Sequence, residues 1–207
     1  MKQNLSPGEK LTVRQKHSFD IVSGTQEVFR LLLDALANPG RPVDLSAHVF
    51  QFASNGRWLA PALTLLDNET GFYWDGAPEI GEEIRFLSGA ALVSIENADF
   101  VFLSSQNALS GAERILSQVK AGTYRDPHDS ALIFIVVEGG AVISADIKGP
   151  GVPPEGRKVL LSATEATWIK ARKAQGFEYP RGVEMIFMRE DNSLLAITRK
   201  VTLSWPM

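Results

Sequence analysis

The sequence predicts an α/β fold, a single-domain three-layer sandwich with a mixed β-sheet between helical layers. Three observations lead there. Ala131–Val137, Val183–Met188 and Leu194–Ile197 are apolar at nearly every position instead of alternating, as expected of strands covered on both faces. Segments with helical spacing are interleaved with such runs along the chain. The last two runs are joined by Arg189-Glu190-Asp191-Asn192-Ser193, a polar cluster with turn chemistry, so at least one pair of strands is a hairpin.

Residues 1–16 are polar, carry Pro7-Gly8 and are expected to form a loose arm, with residues 17–207 forming the single α/β domain. Ser23-x-x-Gln26 has capping-box spacing. Val28, Leu31, Leu32, Ala35 and Leu36 then recur at helical intervals, Phe29 and Leu33 widen the stripe, and Asn38-Pro39-Gly40 ends the helix. Val43–Leu45 begins a strand. A second helix is expected from about Leu59 to Leu66, with Pro61 near its start, and Asp67–Gly71 breaks it. Phe72–Trp74 is a short aromatic strand, Pro78–Leu87 a helix stopped by Ser88-Gly89, and Ala98–Leu103 a strand.

Ser110-x-x-Glu113 is a second capping-box match, ahead of a helix carrying Ile115, Leu116 and Val119. Gly122–Asp129 is a loop leading into the strand Ala131–Val137, and Glu138-Gly139-Gly140 turns the chain into Ala141–Ile147. Gly149-Pro150-Gly151-Val152-Pro153-Pro154 is the densest breaker segment. Thr164–Gly176 is a helix containing Trp168, and the hairpin follows.

Composition excludes several function classes. With 44% hydrophobic and 22% charged residues and a net charge of −3, the chain has enough apolar content for a real core and lacks the basic bias of a protein that holds nucleic acid on a charged face. It has no cysteine, which removes disulfides, zinc–thiolate and iron–sulfur sites and cysteine nucleophiles. No apolar run approaches the roughly 20 residues of a membrane-spanning helix, and the first residues lack the apolar core of a signal peptide. A cytoplasmic protein without membrane or nucleic-acid partners is expected.

The candidates for chemistry are few. Of the 3 histidines, His128 is best placed, on a loop before a buried strand beside Asp126 and Asp129; a carboxylate neighbour would tune it for acid–base work, and an exposed turn residue is the alternative. Asp67 and Glu69 at a helix exit, with Asp75 beyond the aromatic strand, are paired carboxylates for a metal or a proton, or else loop caps. Arg181 and Arg199 lie at the two ends of the hairpin. They would form an anion site, pair with Glu184, or face a partner chain. Gly149 and Gly151 would let a ligand or partner approach the backbone, or simply shape a loop. Gly151-x-x-x-x-Gly156-Arg157-Lys158 is not a phosphate-binding loop, because Pro153 and Pro154 remove donors and Arg157 replaces its lysine. No metal set, G-x-S-x-G elbow or G-x-G-x-x-G fingerprint is present. No catalytic residue can be assigned, as in an accessory subunit or scaffold.

Several segments, in order, resemble the PhnH family of the carbon–phosphorus lyase system. Phe29–Gly40 is similar to its first-helix signature, Leu65–Thr70 and Ala98-Asp99-Phe100 to its next landmarks, and Gly122-Thr123 with Pro127, Ser130 and Ala131 to its loop-to-strand motif. Gly149-Pro150-Gly151-Val152, Pro180-Arg181-Gly182-Val183-Glu184 and Ile197-Thr198-Arg199 resemble its glycine–proline loop and C-terminal hairpin. Thr198 and Lys200 stand where the family usually has proline and threonine, and His128 where an acidic residue is common. The resemblance implies a reduced PLP-dependent transferase-like fold without the cofactor site, no cofactor, a homodimer, and assembly with the G, I and J subunits of the lyase core. It further implies support for transferring a ribose triphosphate group from ATP to an alkylphosphonate, with no catalytic residue handed over. A stand-alone transferase using His128, Asp67 and the arginines, and a non-catalytic binding module that kept only the fold, are the alternatives.

Overall fold

The computed structural model describes residues 17–205, so the expected arm over residues 1–16 lies outside the described residues. The central sheet has seven strands: β1 (Val43–Asp44), β2 (Gly71–Trp74), β3 (Ala91–Leu92), β4 (Phe100–Leu103), β5 (Leu132–Val136), β8 (Glu184–Met188) and β9 (Ser193–Ile197). Across the sheet they lie in the order β1-β9-β8-β5-β4-β2-β3. β3, β2, β4, β5 and β8 run parallel, whereas β9 is antiparallel to both β8 and β1. The sheet is therefore mixed, and the β8–β9 hairpin is the expected one, with Met185 opposite Ile197 and Met188 opposite Leu194. Its turn is held by Asp191, whose Oδ1 accepts the Ser193 amide at 2.9 Å, and by Asn192 in the left-handed region.

The two-sided cover inferred from the apolar runs is visible residue by residue. In β5, β8 and β9, Ile133, Ile135, Met185, Phe187, Leu195 and Ile197 face one core. Phe134, Val136, Ile186, Met188, Leu194 and Ala196 face the other. The second core is closed by α1 (Ser23–Ala37), α3 (Gly56–Leu65) and α4 (Pro78–Ser88). The first is closed by α6 (Ala112–Gln118), α7 (Ala163–Ala174) and a small antiparallel sheet. That sheet comprises β6 (Val142–Lys148), β7 (Arg157–Ser162) and β10 (Thr202–Ser204), with β6 in the middle. The layer on that side is thus part helix and part sheet, where helices alone were expected. Short helices α2 (Ser46–Val49) and α5 (Ser105–Ser110) precede α3 and α6 in the chain.

Several local expectations are corrected. On α1 the buried stripe is Val28, Leu32 and Ala35, while Phe29 and Leu33 point outward. α3 begins near Gly56, earlier than expected, with Pro61 inside it. Strands β3, β7 and β10 were not expected. In β7 only Val159 and Leu161 turn inward, and the exposed Leu160 between them hides the alternation.

The capping boxes differ most. Ser23 lies inside α1, whose N-cap is Val22; just ahead of the helix Asp20 Oδ1 accepts the Val22 and Ser23 amides at 2.7 and 3.2 Å, and these bonds hold its carboxyl below the ordinary range. Ser110 does not cap α6 either, since Gly111 is its N-cap. The box that forms is Ser162-x-x-Glu165 on α7. Ser162 is extended (φ −68°, ψ 163°), its Oγ accepts the Glu165 amide at 3.2 Å, and Glu165 Oε2 accepts the Ser162 amide at 2.6 Å. Ser162→Ala is expected to cost about 1 kcal/mol, read as a lower denaturant midpoint with an unchanged slope.

Candidate functional site

The amino ends of β5 and β8 and the carboxyl end of β9 meet at one edge of the central sheet. There the loop before β5, the segment before β8, the chain after β9 and the Gly149–Pro154 loop surround a cleft of about 460 Å³. His128, Pro150, Gly151, Tyr179, Arg199 and Lys200 line it. Residues far apart in sequence are thus gathered, among them three of the expected candidates, His128, Gly151 and Arg199.

Arg199 organises this edge. Its Nε donates to Glu184 Oε1 at 2.6 Å, and its own amide donates to Glu184 Oε2 at 2.6 Å. Nη1 donates to the carbonyls of Pro127 at 2.9 Å and Pro180 at 3.1 Å, and Nη2 to Ser130 Oγ at 2.5 Å. Of the alternatives open for Arg199, pairing with Glu184 is the one the structure forms. The guanidinium ties two loops to the hairpin and has nearly all its donors engaged.

The other polar groups of the cleft are at its rim. His128 is exposed, with Nε2 3.6 Å from Asp129 Oδ1, a distance too long for a firm hydrogen bond. Lys200 Nζ lies 4.7 Å from the centre of the Tyr179 ring, in cation–π range. Gly151, at φ +79°, packs on the end of α1, and Gly149, at φ +138°, on Lys200 and Val201. Arg157 continues this packing by donating to the carbonyls of Asn38 at 3.1 Å and Pro39 at 2.5 Å. Among the described residues no hydroxyl in the cleft is hydrogen-bonded to His128. The cleft can seat a ligand or a partner segment, but it lacks the nucleophile–base–orienter chain of a hydrolytic site.

Asp67 is elsewhere. Its Oδ1 accepts the amides of Glu69 at 2.9 Å and Thr70 at 3.1 Å, so it caps a loop. Asp75, at the carboxyl end of β2, accepts the Ser104 amide at 2.6 Å, and its Oδ2 is buried without a partner. Of the two readings open for Asp67, the loop cap is the one the structure forms. Among the described residues no group of three or more His, Asp or Glu side chains is placed to hold a metal, and no helix is long and apolar enough to cross a membrane.

Arg181 lies on the other side of Arg199, in a second pocket of about 250 Å³ between α7 and the chain that leads from β9 into β10. Its guanidinium carbon is 5.4 Å from the centre of the Tyr124 ring, and its Nε is buried without a hydrogen-bond partner. Tyr124 itself bonds Glu178, which raises its pKa. Arg172 lines this pocket too and was not among the expected site residues. A signal existed: Glu165, Trp168 and Arg172 share one face of α7, which sets two charges on an apolar stripe.

Comparison with known proteins bears on what this edge serves. Residues 17–204 match a family model described as "Bacterial phosphonate metabolism protein (PhnH)". No curated protein matches the chain.

Proposed function

The chain belongs to the PhnH family of bacterial phosphonate metabolism proteins, and on that footing we propose that it is an accessory subunit of the carbon–phosphorus lyase system. It supports transfer of ribose triphosphate from ATP to an alkylphosphonate within a cytoplasmic complex containing the G, I and J subunits, and contributes by assembly and by shaping an anion pocket. The observation that carries this is the sheet edge itself. It combines two clefts with a cluster of arginines, of which Arg199 is paired with Glu184 while the Arg181 Nε is buried without a partner, an arrangement suited to holding a ligand or a neighbour.

A homodimer is part of the same proposal. Phe29 and Leu33, one turn apart on the outer face of α1, and the exposed Phe50 offer apolar surface for a second copy. So is the reduced PLP-dependent transferase architecture without its cofactor; uptake of pyridoxal phosphate, seen as a new absorbance band, would count against it.

Tagged protein purified from cells grown on a phosphonate as sole phosphorus source is expected to bring the G, I and J subunits with it, identified by mass spectrometry. A chain that reproducibly returns without them overturns the accessory role. Turnover by that isolated chain would favour a stand-alone transferase.

A further inference from the structure

The second pocket has an unbalanced charge. α7 sends two charged side chains into the core, and they are treated differently. Glu165, 1% exposed, has its counter-ion: Arg189 Nε and Nη2 reach its carboxylate at 2.7 and 3.1 Å. Arg172, 9% exposed, has none among the described residues. Its hydrogen bonds there are made by Nη1 alone, to the carbonyls of Ile197 at 2.8 Å and Val183 at 3.4 Å. The acidic group that acts on it electrostatically is Glu184, already bonded to Arg199. A buried cation without a carboxylate is costly, and structures retain one where something else supplies the negative charge.

The surroundings add to the imbalance. Lys170, Lys173 and Arg181 also line the pocket, as does Arg199, whose charge is already matched by Glu184, and no acidic side chain among the described residues does. The Arg181 Nε is a buried donor without an acceptor. Burial lowers the pKa of Arg172 to about 10, Glu184 opposing and Arg199 adding to the shift, so the guanidinium is still charged at neutral pH.

We propose that this pocket, between α7 and the β9–β10 connection, binds a tetrahedral phosphorus oxyanion, with Arg172 and Arg181 as its main contacts. Two guanidinium forks suit the several oxygens of such a group better than ammonium groups alone. A volume of about 250 Å³ is at the small end for ligand pockets, which fits a phosphonate or the phosphate end of a larger molecule. That the oxyanion is one of phosphorus rests on the family assignment; that the site takes an oxyanion rests on the charges.

Calorimetric titration of the purified chain with methylphosphonate, inorganic phosphate and sulfate tests this. Saturable binding of methylphosphonate or phosphate is expected, weakened about tenfold or more by Arg181→Gln, which removes charge-assisted donors, and lost in Arg172→Met. Tighter binding of methylphosphonate identifies the phosphonate as the source, and tighter binding of phosphate identifies a phosphoryl group. Arg181→Gln should keep the wild-type melting temperature, so the test survives if Arg172→Met does not fold. The proposal is overturned by no binding at millimolar concentration, by affinity unchanged in Arg181→Gln, or by sulfate binding as tightly as either phosphorus anion. Co-purification with the lyase subunits is independent of this titration, so failure of the pocket and failure of the accessory role give different results.

Discussion

Gly151→Val is expected to destabilise the fold by about 3 kcal/mol or more, through backbone strain and a steric clash acting together. The residue sits at φ +79°, a conformation that a β-branched side chain adopts at high cost. A Cβ built there runs into the Ala37 carbonyl oxygen and lies 2.7 Å from Pro39 Cδ. Those atoms belong to the end of α1 and the turn after it, and Arg157 pins the same turn through the carbonyls of Asn38 and Pro39. Neither side has room to yield. Gly151→Ala carries the same Cβ and should lose most of the same stability. An alanine variant within about 0.5 kcal/mol of wild type by urea denaturation would mean that the loop moves aside easily. Because Pro150 and Gly151 line the larger cleft, any folded valine variant should also show a disturbed cleft.

Arg199→Ala is expected to cost about 3 kcal/mol, the lower end of the range for breaking a buried ion pair, since the two side chains keep 17% and 23% of their surface exposed. The loss has two parts. Glu184 is left as a half-buried carboxylate with only the residue 199 amide as donor, and Pro127, Pro180 and Ser130 lose the group that joined their loops. Adding Glu184→Gln to Arg199→Met should recover part of the stability, because the uncompensated charge is then gone. A single variant as stable as the wild type would show that the pair contributes nothing. Arg181→Gln is the contrasting case, with a large expected effect on anion binding and little on folding.

The location of both clefts runs against a common expectation for α/β proteins. Open α/β sheets usually take ligands outside the carboxyl ends of their parallel strands. Here the clefts open at the amino ends of β5 and β8, because antiparallel β9 returns the chain to that edge and carries Arg199 with it. Analogy of fold alone would have directed attention to Asp75 at the opposite edge.

How much of this was legible in the sequence depends on how local each signal is. β5, β8 and β9 could be read because an unbroken apolar run reports burial on both faces, whatever lies across from it. The turn at Asp191 and Asn192 was equally local. The capping boxes show the boundary: Ser23, Ser110 and Ser162 all have the spacing, but only Ser162 has the extended backbone that lets its hydroxyl reach the third amide. That backbone is set by β7, whose Ser162 pairs with Val142.

The sequence by itself determined the class of fold, the hairpin, the breaker loop and the family, since each rests on residue types at short spacings. Only the tertiary structure decided that Asp67 caps a loop, that Arg199 belongs to Glu184, and that Arg172 is left without a counter-ion among the described residues. Charge pairing acts through distance and burial, and neither is a property of neighbours in sequence.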